Sequence, residues 1–400
     1  MKNLGAILLV AGTCIGSGMI ALPMVLAQLG LVPSIVLMLG VWFVMYYTSL
    51  INLELNLQAD QGLPLGALAR LFSGRIAEWI GTLSLKLLSY SLLAVFIYGG
   101  SSILQQLMES KMGLHYSFES IASGFALVSV GIILLPIKII DYFNRVLFMS
   151  LLSVIILLII GLAISVNWTN LPLFSSQYDD LSVWVALVPV VFTSFGFQVI
   201  FHTLTNYCQK NAKMLKQVFF WGSFIPAVVY ILWTCSILSV VYHENSGFYQ
   251  QMAQGKAEVG ELIQVLSEIA QWQSVQLLVW LISLLAIVTS VIGVGIGLSD
   301  SVKGMMSHSI RKEGMRAILA SIITIVPAYF AVLYIPNAFI TILGFAGMIL
   351  AIIAVILPTY LFWKIKILSF HYSELKANWL IQISLIVALA VIICEVYTML

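Results

Sequence analysis

The chain has 400 residues, of which 61% are hydrophobic and only 8% are charged, and its formal net charge is +2. Soluble domains carry about 25% charged residues, so this composition excludes a water-soluble globule, and it excludes a disordered chain for the same reason. A net charge this small does not indicate a nucleic-acid-binding protein. The class that remains is a membrane protein with many spans.

Apolar runs recur along the whole chain, and each is long enough to cross a bilayer as a helix, which takes about 20 residues. They lack the ten-residue alternation of strands in a membrane barrel. We therefore predict an all-α polytopic protein with eleven transmembrane helices, at about 4–29, 32–57, 76–107, 118–136, 144–166, 182–204, 216–242, 273–298, 315–334, 337–362 and 377–398. The first run is interpreted as a retained span and not as a signal peptide.

Lysine and arginine are distributed unevenly between the connections. If the N-terminus is cytoplasmic, fifteen of the 18 lie on the cytoplasmic side, Lys111 and Lys256 lie outside, and Lys86 falls within a span. Short cytoplasmic loops of membrane proteins carry such an excess of positive charge. The sequence therefore predicts a cytoplasmic N-terminus, and eleven spans then put the C-terminus on the periplasmic side.

Two connections are long, the cytoplasmic one at 58–75 and the outer one at 243–272. The outer connection has apolar residues at helical spacing with glutamates between them, which predicts an amphipathic surface helix. Its apolar positions are Val259, Leu262, Ile263, Leu266 and Ile269. Two interpretations of this helix stay open: a cap on the outer face, or a lid over a permeation path.

Two spans are interrupted by residues that weaken helices. Span 1 contains Gly12, Gly16 and Gly18 within seven residues, and each glycine costs about 1 kcal/mol relative to alanine. Span 6 contains Pro189, followed by the sequence FTSFGF at 192–197. The two spans come first in two five-span halves, and such a pair of interruptions is typical of a transporter binding site. Close helix packing is the alternative for span 1 alone.

Interrupted helices expose backbone groups that suit one kind of ligand. The half-helix that begins at Ser17 and Gly18, beside Gly16, offers free N–H groups and the positive end of a helix dipole, which favour a carboxylate. Carbonyl groups in the breaks accept hydrogen bonds from an ammonium group, and the candidates are Cys14, Val191, Phe192 and Ser194. A ligand with both groups is a zwitterion, and a free amino acid is the simplest one.

Ionisable residues inside spans are functional candidates because charges in the membrane are costly. Lys86 in span 3 and His202 in span 6 are linked to proton movement in one interpretation. In the other, Lys86 snorkels to the interface and His202 is a packed, hydrogen-bonded residue. Glu54 and Glu395 lie near the ends of spans 2 and 11, and we expect them at the membrane interface.

The interruptions also carry a family resemblance. The sequences AGTCIGSGMIALP at 11–23 and VVFTSFGF at 190–197 resemble motifs of bacterial aromatic amino acid permeases, as do DYFNR at 141–145 and the segment 289–300. The matches follow the same order and spacing over essentially the whole chain. The chain is therefore identified as a member of the hydroxy/aromatic amino acid permease family, in the amino acid–polyamine–organocation superfamily, and is most like its tyrosine-specific permeases.

This resemblance implies a LeuT-like fold in which spans 1 and 6 are broken. The two inverted five-helix repeats correspond to 1–166 and 182–362, within a single transporter domain, and 377–398 is an extra helix. The resemblance also implies import of tyrosine by proton symport across the bacterial inner membrane. Tryptophan, phenylalanine, serine and threonine stay open as main substrates.

An aromatic substrate needs a flat apolar cavity with one polar group for its phenol or indole. We expect its side chain to lie against Phe195 and Phe197, with Tyr90 of span 3 opposite. Gln198, which stands where related permeases have histidine, either binds a substrate hydroxyl or packs between helices. A histidine follows one turn later, at His202.

The coupling ion stays open between a proton and sodium, and the resemblance favours the proton. The carbonyls of Gly12 and Ile15, facing Thr289 and Ser290 of span 8, resemble the sodium site of relatives with the same fold. Alternatively, both hydroxyls bond back to their own helix.

The sequence indicates that the protein is not an enzyme, because it has no H-E-x-x-H motif, no metal-binding cluster and no serine–histidine pairing in a catalytic context. A channel would show charged rings or a repeated filter sequence. We expect neither cofactor nor metal, and the expected partners are an amino acid, H⁺ or Na⁺, and the lipid bilayer.

Overall fold

The structure is a computed structural model of the chain. It describes residues 2–60, 62–135, 171–269, 273–306, 312–335, 338–365 and 369–400, together with short pieces between 139 and 161. Every regular element in these ranges is helical, as predicted. The predicted fifth span at 144–166 and the motif at 141–145 lie mostly outside the described residues.

The described helices follow the predicted apolar runs. In chain order they are α1 Lys2–Cys14, α2 Ser17–Leu26, α3 Leu31–Gln58, α4 Leu65–Ser73, α5 Arg75–Met112, α6 Phe118–Ile133, α7 Leu181–Ser194, α8 Phe201–Tyr207, α9 Ala212–Glu244, α10 Ser246–Ala253, α11 Val259–Ile269, α12 Gln273–Met306, α13 Glu313–Tyr334, α14 Ala338–Ala351, α15 Leu357–Lys364 and α16 Asn378–Met399. Single turns of 3₁₀-helix occupy Gln198–Ile200 and Ser373–Lys376, and a π-helical turn at Ile352–Ile356 joins α14 to α15.

Seven of the described segments are long and apolar enough to cross a membrane: α3, α5, α9, α12, α13, α14 with α15, and α16. An eighth crossing is formed if α1 and α2 are taken as one span bent by 50°. Two shorter apolar helices, α6 and α7, lie in the predicted fourth and sixth spans. The sequence predicts a connection at 58–75, and the structure places the short helix α4 within it.

The longest helix, α5, has 38 residues and is therefore about 57 Å long at 1.5 Å per residue. It packs against α12, α13 and α14, and α14 packs in turn on α7. The α14–α7 contact is so close that a Cβ atom at Gly347 would overlap the carbonyl oxygen of Pro189. Only glycine permits this backbone approach, which fixes α7 in the bundle.

One end of the bundle, called the basic end below, is formed by residues 59–60, 62–64, 208–211 and 369–377. Lys210 pairs with Asp60 at 2.7 Å, and Lys216 of α9 pairs with Glu374. Hydrogen bonding to the Lys216 ammonium holds the pKa of the Glu374 carboxyl below its usual range. Because the partners come from different connections, these contacts join α3, α9 and the segment before α16.

Glu54 also lies near the basic end, close to the end of α3, and its predicted position at the membrane interface stays a prediction. Its side chain is fully buried. The carboxylate accepts hydrogen bonds from the backbone N–H groups of His371 and Tyr372, at 3.1 and 3.3 Å, and from Gln58 Nε2 at 2.7 Å. A buried carboxylate is costly unless its oxygens are paired, and here the connection before α16 supplies the donors.

Glu395 of α16 is only 4% exposed, so it too is buried in the protein, and its predicted position at the membrane interface stays a prediction. The carboxylate packs on α14, because a Cβ atom at Gly344 would overlap Glu395 Oε2.

The opposite end of the bundle carries α10 and α11. The predicted amphipathic helix is confirmed, since Val259, Leu262, Ile263 and Leu266 of α11 are buried. The helix is held to α5 by the Gly260 N–H group, which donates to Ser102 Oγ at 3.0 Å. This end is therefore closed by an apolar helix face packed across α5.

Candidate substrate site

The first predicted interruption is present where the sequence places it. Helix α1 ends at Cys14 and α2 begins at Ser17, with a bend of 50° between them. The Met19 N–H group donates to the Gly16 carbonyl at 3.1 Å. The N–H groups of Ser17 and Gly18 lie at the start of α2, where a helix has no internal acceptors for them.

The second interruption follows α7, which ends at Ser194. The N–H groups of Phe195 and Gly196 donate to the carbonyls of Phe192 and Thr193, at 3.3 and 3.0 Å, and a 3₁₀ turn starts at Gln198. The carbonyl of Phe192, a predicted ligand for ammonium, therefore already accepts a hydrogen bond inside the break.

The two interruptions meet face to face, because α2 packs directly on α7. A Cβ atom at Gly18 would lie 2.6 Å from Ser194 Cβ and 2.8 Å from Ser194 Oγ. No side chain fits in that space, so Gly18 is required for the contact between the broken helices.

Tyr230 of α9 joins the two broken helices and was not predicted from the sequence. Its side chain is fully buried, and its hydroxyl lies 2.5 Å from the carbonyl oxygen of Cys14 and 3.1 Å from that of Ser194. Both carbonyls were predicted to bind a ligand's ammonium group. The structure thus brings Cys14 and Ser194 together and supplies a donor to them from a third helix.

Aromatic rings surround this junction. Phe195 packs edge-on against the Tyr230 ring, with centroids 5.5 Å apart and an interplanar angle of 89°. Phe96 of α5, which the sequence did not single out, would lie 3.9 Å from a Cβ atom at Gly16. Phe197, in contrast, packs with Phe201 and Phe219 on the side of the break that faces the basic end.

Two small cavities lie on opposite sides of the Tyr230 junction. A cavity of about 10 Å³ lies under α11, lined by Met19, Trp233, Leu262 and Ala286 among others. A second cavity of about 70 Å³ lies toward the basic end, where it is lined by Asn52, Leu63, Leu85, Gln198, Phe201 and His202 among others. Neither cavity reaches the roughly 300 Å³ or more that is typical of ligand pockets, so the junction is closed.

Hydrogen bonds between distant parts of the chain lie beside each cavity. Near α11, Trp233 Nε1 donates to the Met19 carbonyl at 2.7 Å. Toward the basic end, Asn206 of α8 accepts from the Gly62 N–H group at 3.2 Å and donates to the Gly62 carbonyl at 3.1 Å.

Gln198 and His202, both predicted site residues, line the cavity toward the basic end. The Oε1 atom of Gln198 accepts from the Phe197 N–H group at 2.8 Å, while Nε2 faces Met45 Sδ at 3.7 Å. His202 Nε2 lies 3.3 Å from Thr203 Oγ1. Both side chains thus lie between the junction and the basic end, beside a cavity with polar groups.

Tyr90 and Lys86 of α5 make contacts on a different side of the bundle. The Tyr90 hydroxyl donates to the Ile323 carbonyl of α13 at 3.1 Å. The Lys86 ammonium lies 2.8 Å from Met305 Sδ, near the end of α12. The roles predicted for both residues stay predictions, and these contacts direct the two polar groups to α13 and α12.

Thr289 and Ser290 of α12 bond back to their own helix, Thr289 to Leu285 at 2.9 Å and Ser290 to Ala286 at 2.7 Å. Ser290 also faces the first interruption, because its Oγ atom would lie 3.1 Å from a Cβ atom at Gly16. The structure therefore brings Ser290 to the break that contains Ile15, and the lone pairs of its oxygen remain available as acceptors.

Comparison with known proteins agrees with this architecture. The tryptophan/tyrosine permease family has a sequence model that matches residues 1–397. The chain belongs to this family. Its members are transport proteins and not enzymes, and this chain is a bacterial membrane protein with several spans.

Three relatives illustrate the range of names within the family. Tyrosine-specific transport system 1 of Haemophilus influenzae is 31% identical over 91% of this chain and 88% of the relative. A tryptophan-specific transport protein of Pseudomonas aeruginosa is 27% identical over 89% of this chain and 84% of the relative. Glutamine transporter 2 of Aliivibrio fischeri is 26% identical over 89% of this chain and 87% of the relative.

The close contact at Gly18 predicts that Gly18→Ala lowers transport of every substrate by at least about fivefold, because overpacking costs about 1–3 kcal/mol. Initial uptake rates in proteoliposomes, normalised to folded protein, measure this effect. The added methyl group meets Ser194, so the double variant Gly18→Ala with Ser194→Gly should regain part of the lost rate.

Gly297→Ala is the matched control, since a Cβ atom at Gly297 of α12 meets nothing within 4 Å. This variant should transport normally. Normal transport by Gly18→Ala would show that the contact between the broken helices does not depend on this glycine.

Proposed function

We propose that the protein imports aromatic amino acids, tyrosine foremost, by proton symport with alternating access. The observation that carries the proposal is the junction at which two interrupted helices bring their backbone ends together. Family membership and the names of the relatives support an amino acid as substrate. A substrate with one carboxylate and one ammonium group matches the N–H groups and carbonyls of the junction.

In the proposed complex, the substrate carboxylate accepts hydrogen bonds from the N–H groups of Ser17 and Gly18. The ammonium group donates to the carbonyls of Cys14, Ser194 and Val191. The aromatic ring occupies the space that opens between Phe195 and Phe96. This arrangement needs no charged side chain, because helix ends supply the partial charges.

The proposed fold has eleven spans, with two inverted five-helix repeats at 1–166 and 182–362 and an extra helix at 377–398. In support, α1 with α2 and α7 with α8 are interrupted at matching positions of the two halves. The small cavities on both sides of the junction support alternating access, since each becomes the entrance in one state. We propose that α11 is the lid over the entrance at its own end.

Proton coupling is proposed with His202 as the first candidate for a proton-linked residue, since it lines the cavity toward the basic end. Lys86 is the second candidate, although its ammonium faces Met305. The alternative is a sodium site formed by carbonyls near Gly12 and Ile15 with the hydroxyls of Thr289 and Ser290. The proximity of Ser290 to Gly16 favours this alternative over other cation sites.

We further propose that the protein lies in the inner membrane with its N-terminus in the cytoplasm and its C-terminus in the periplasm, because fifteen of the 18 lysines and arginines fall on the side predicted to be cytoplasmic. Exposed residues at each end test this. A cysteine at Ser246, the first residue of α10, should react with a membrane-impermeant maleimide in spheroplasts. A cysteine at Lys213 should react only after lysis. The opposite pattern would contradict the orientation, and the unsubstituted chain controls for its four native cysteines.

Uptake by purified protein in liposomes tests the function. Labelled L-tyrosine, L-tryptophan, L-phenylalanine and L-glutamine are offered while the proton and sodium gradients are varied independently. We expect saturable, stereoselective uptake, best for tyrosine, that collapses with a protonophore and is unchanged when choline replaces sodium. Protein-free liposomes and D-tyrosine are the controls.

Other outcomes of this experiment would each overturn a defined part of the proposal. Sodium-dependent uptake without a proton gradient would contradict proton coupling and favour Thr289 and Ser290 as cation ligands. A preference for glutamine would contradict an aromatic substrate, and the relative named as a glutamine transporter makes this a specific alternative.

A further inference from the structure

The Tyr230 hydroxyl occupies an unusual position, because one side chain serves two helix breaks that are far apart in the sequence. It lies 2.5 Å from the Cys14 carbonyl oxygen and 3.1 Å from the Ser194 carbonyl oxygen. The α9 helix that carries it runs unbroken from Ala212 to Glu244. A single continuous helix thus holds one donor at the centre of the junction.

The ring of Tyr230 is fixed in place, so the hydroxyl has a defined location. Phe195 contacts the ring edge-on, and the whole side chain is buried. A Cβ atom at Gly18 would lie 3.0 Å from the hydroxyl oxygen. The hydroxyl is therefore within contact distance of all three predicted substrate-binding segments: the end of α1, the start of α2 and the end of α7.

The chemistry of the Tyr230 hydroxyl indicates which ligand group could take its place at the two carbonyls. A phenol has one proton and two carbonyl oxygens face it, so one proton is shared between two acceptors. An alkylammonium group has three protons and a full positive charge, and hydrogen bonds that involve a charged donor are about twice as strong. An ammonium group therefore satisfies this pair of carbonyls better than the phenol does.

We propose that the Tyr230 hydroxyl is an internal substitute for the ammonium group of the substrate. In the empty protein it satisfies the carbonyls of Cys14 and Ser194, so that the two interrupted helices close on each other without a ligand. When an amino acid binds, its ammonium group takes over both carbonyls and the hydroxyl is displaced. This inference rests on the proposed function and adds a positioning residue to it.

Loss of the hydroxyl should have a kinetic effect that loss of packing alone would not have. Net uptake requires the empty protein to close and reopen toward the other side in every cycle. Exchange of external for internal amino acid uses only loaded forms. The hydroxyl is needed in the empty form, where unpaired buried carbonyls are costly, so its loss should affect net uptake and spare exchange.

The variant Tyr230→Phe tests this, because it keeps the ring and removes only the hydroxyl. Proteoliposomes are used in two modes: empty, with an imposed ion gradient, and preloaded with unlabelled L-tyrosine. We expect net uptake of labelled L-tyrosine to fall about tenfold while exchange stays within about twofold of the unaltered protein. We also expect the Kd for L-tyrosine to fall about fivefold, because an internal competitor is gone.

A matched control removes the same type of bond elsewhere. Tyr372 also donates its hydroxyl to a backbone carbonyl, that of Ala212 at 3.1 Å, at the basic end of the bundle. Tyr372→Phe should leave the ratio of exchange to net uptake unchanged. Melting temperatures of both variants in detergent show whether either has lost its fold.

Three outcomes would overturn the inference. A parallel loss of exchange and net uptake in Tyr230→Phe, with weaker binding, would show that the hydroxyl serves the loaded form. Unchanged net uptake would show that the hydroxyl is not needed at all. Absence of exchange in the unaltered protein, for all four amino acids of the uptake panel, would instead contradict the proposed function and remove the basis of the inference with it.

Discussion

The structure depends on the need of every backbone polar group in a membrane interior for a hydrogen-bond partner. Two helices interrupted at the same depth would each expose carbonyl and N–H groups to an apolar environment. Here the interruptions contact each other through Gly18 and Ser194, and Tyr230 donates to one carbonyl from each. The close packing of α14 on α7 then holds the second interruption in place.

The local features of this arrangement are readable in the sequence, and the tertiary ones are not. Glycines and proline marked both interruptions, and the apolar spacing of 259–269 marked α11, because each effect acts within one helical segment. Tyr230 lies inside an ordinary apolar run and meets Cys14 across 216 positions. The burial of Glu54 was not predicted for the same reason, since the backbone donors that pair with it belong to residues 371 and 372.

In the proposed alternating-access cycle, the closed junction separates the two entrances. Cavities of about 10 and 70 Å³ flank it, under α11 and toward the basic end. Hydrogen bonds lie beside each cavity, between Trp233 and Met19 on one side and between Asn206 and Gly62 on the other. A ligand that binds at the junction stabilises the conformation in which the carbonyls of Cys14 and Ser194 face it. Such a difference in affinity between two conformations shifts the equilibrium between them.

If the junction is the substrate site, the ammonium group of the substrate binds the carbonyls that now face Tyr230. An experimental structure of the protein with L-tyrosine bound is the sharpest test. We expect the substrate nitrogen to lie within hydrogen-bonding distance of the carbonyl oxygens of Cys14 and Ser194, with the Tyr230 hydroxyl displaced from both. A substrate bound elsewhere, with the hydroxyl still donating to these carbonyls, would show that the junction is not the site.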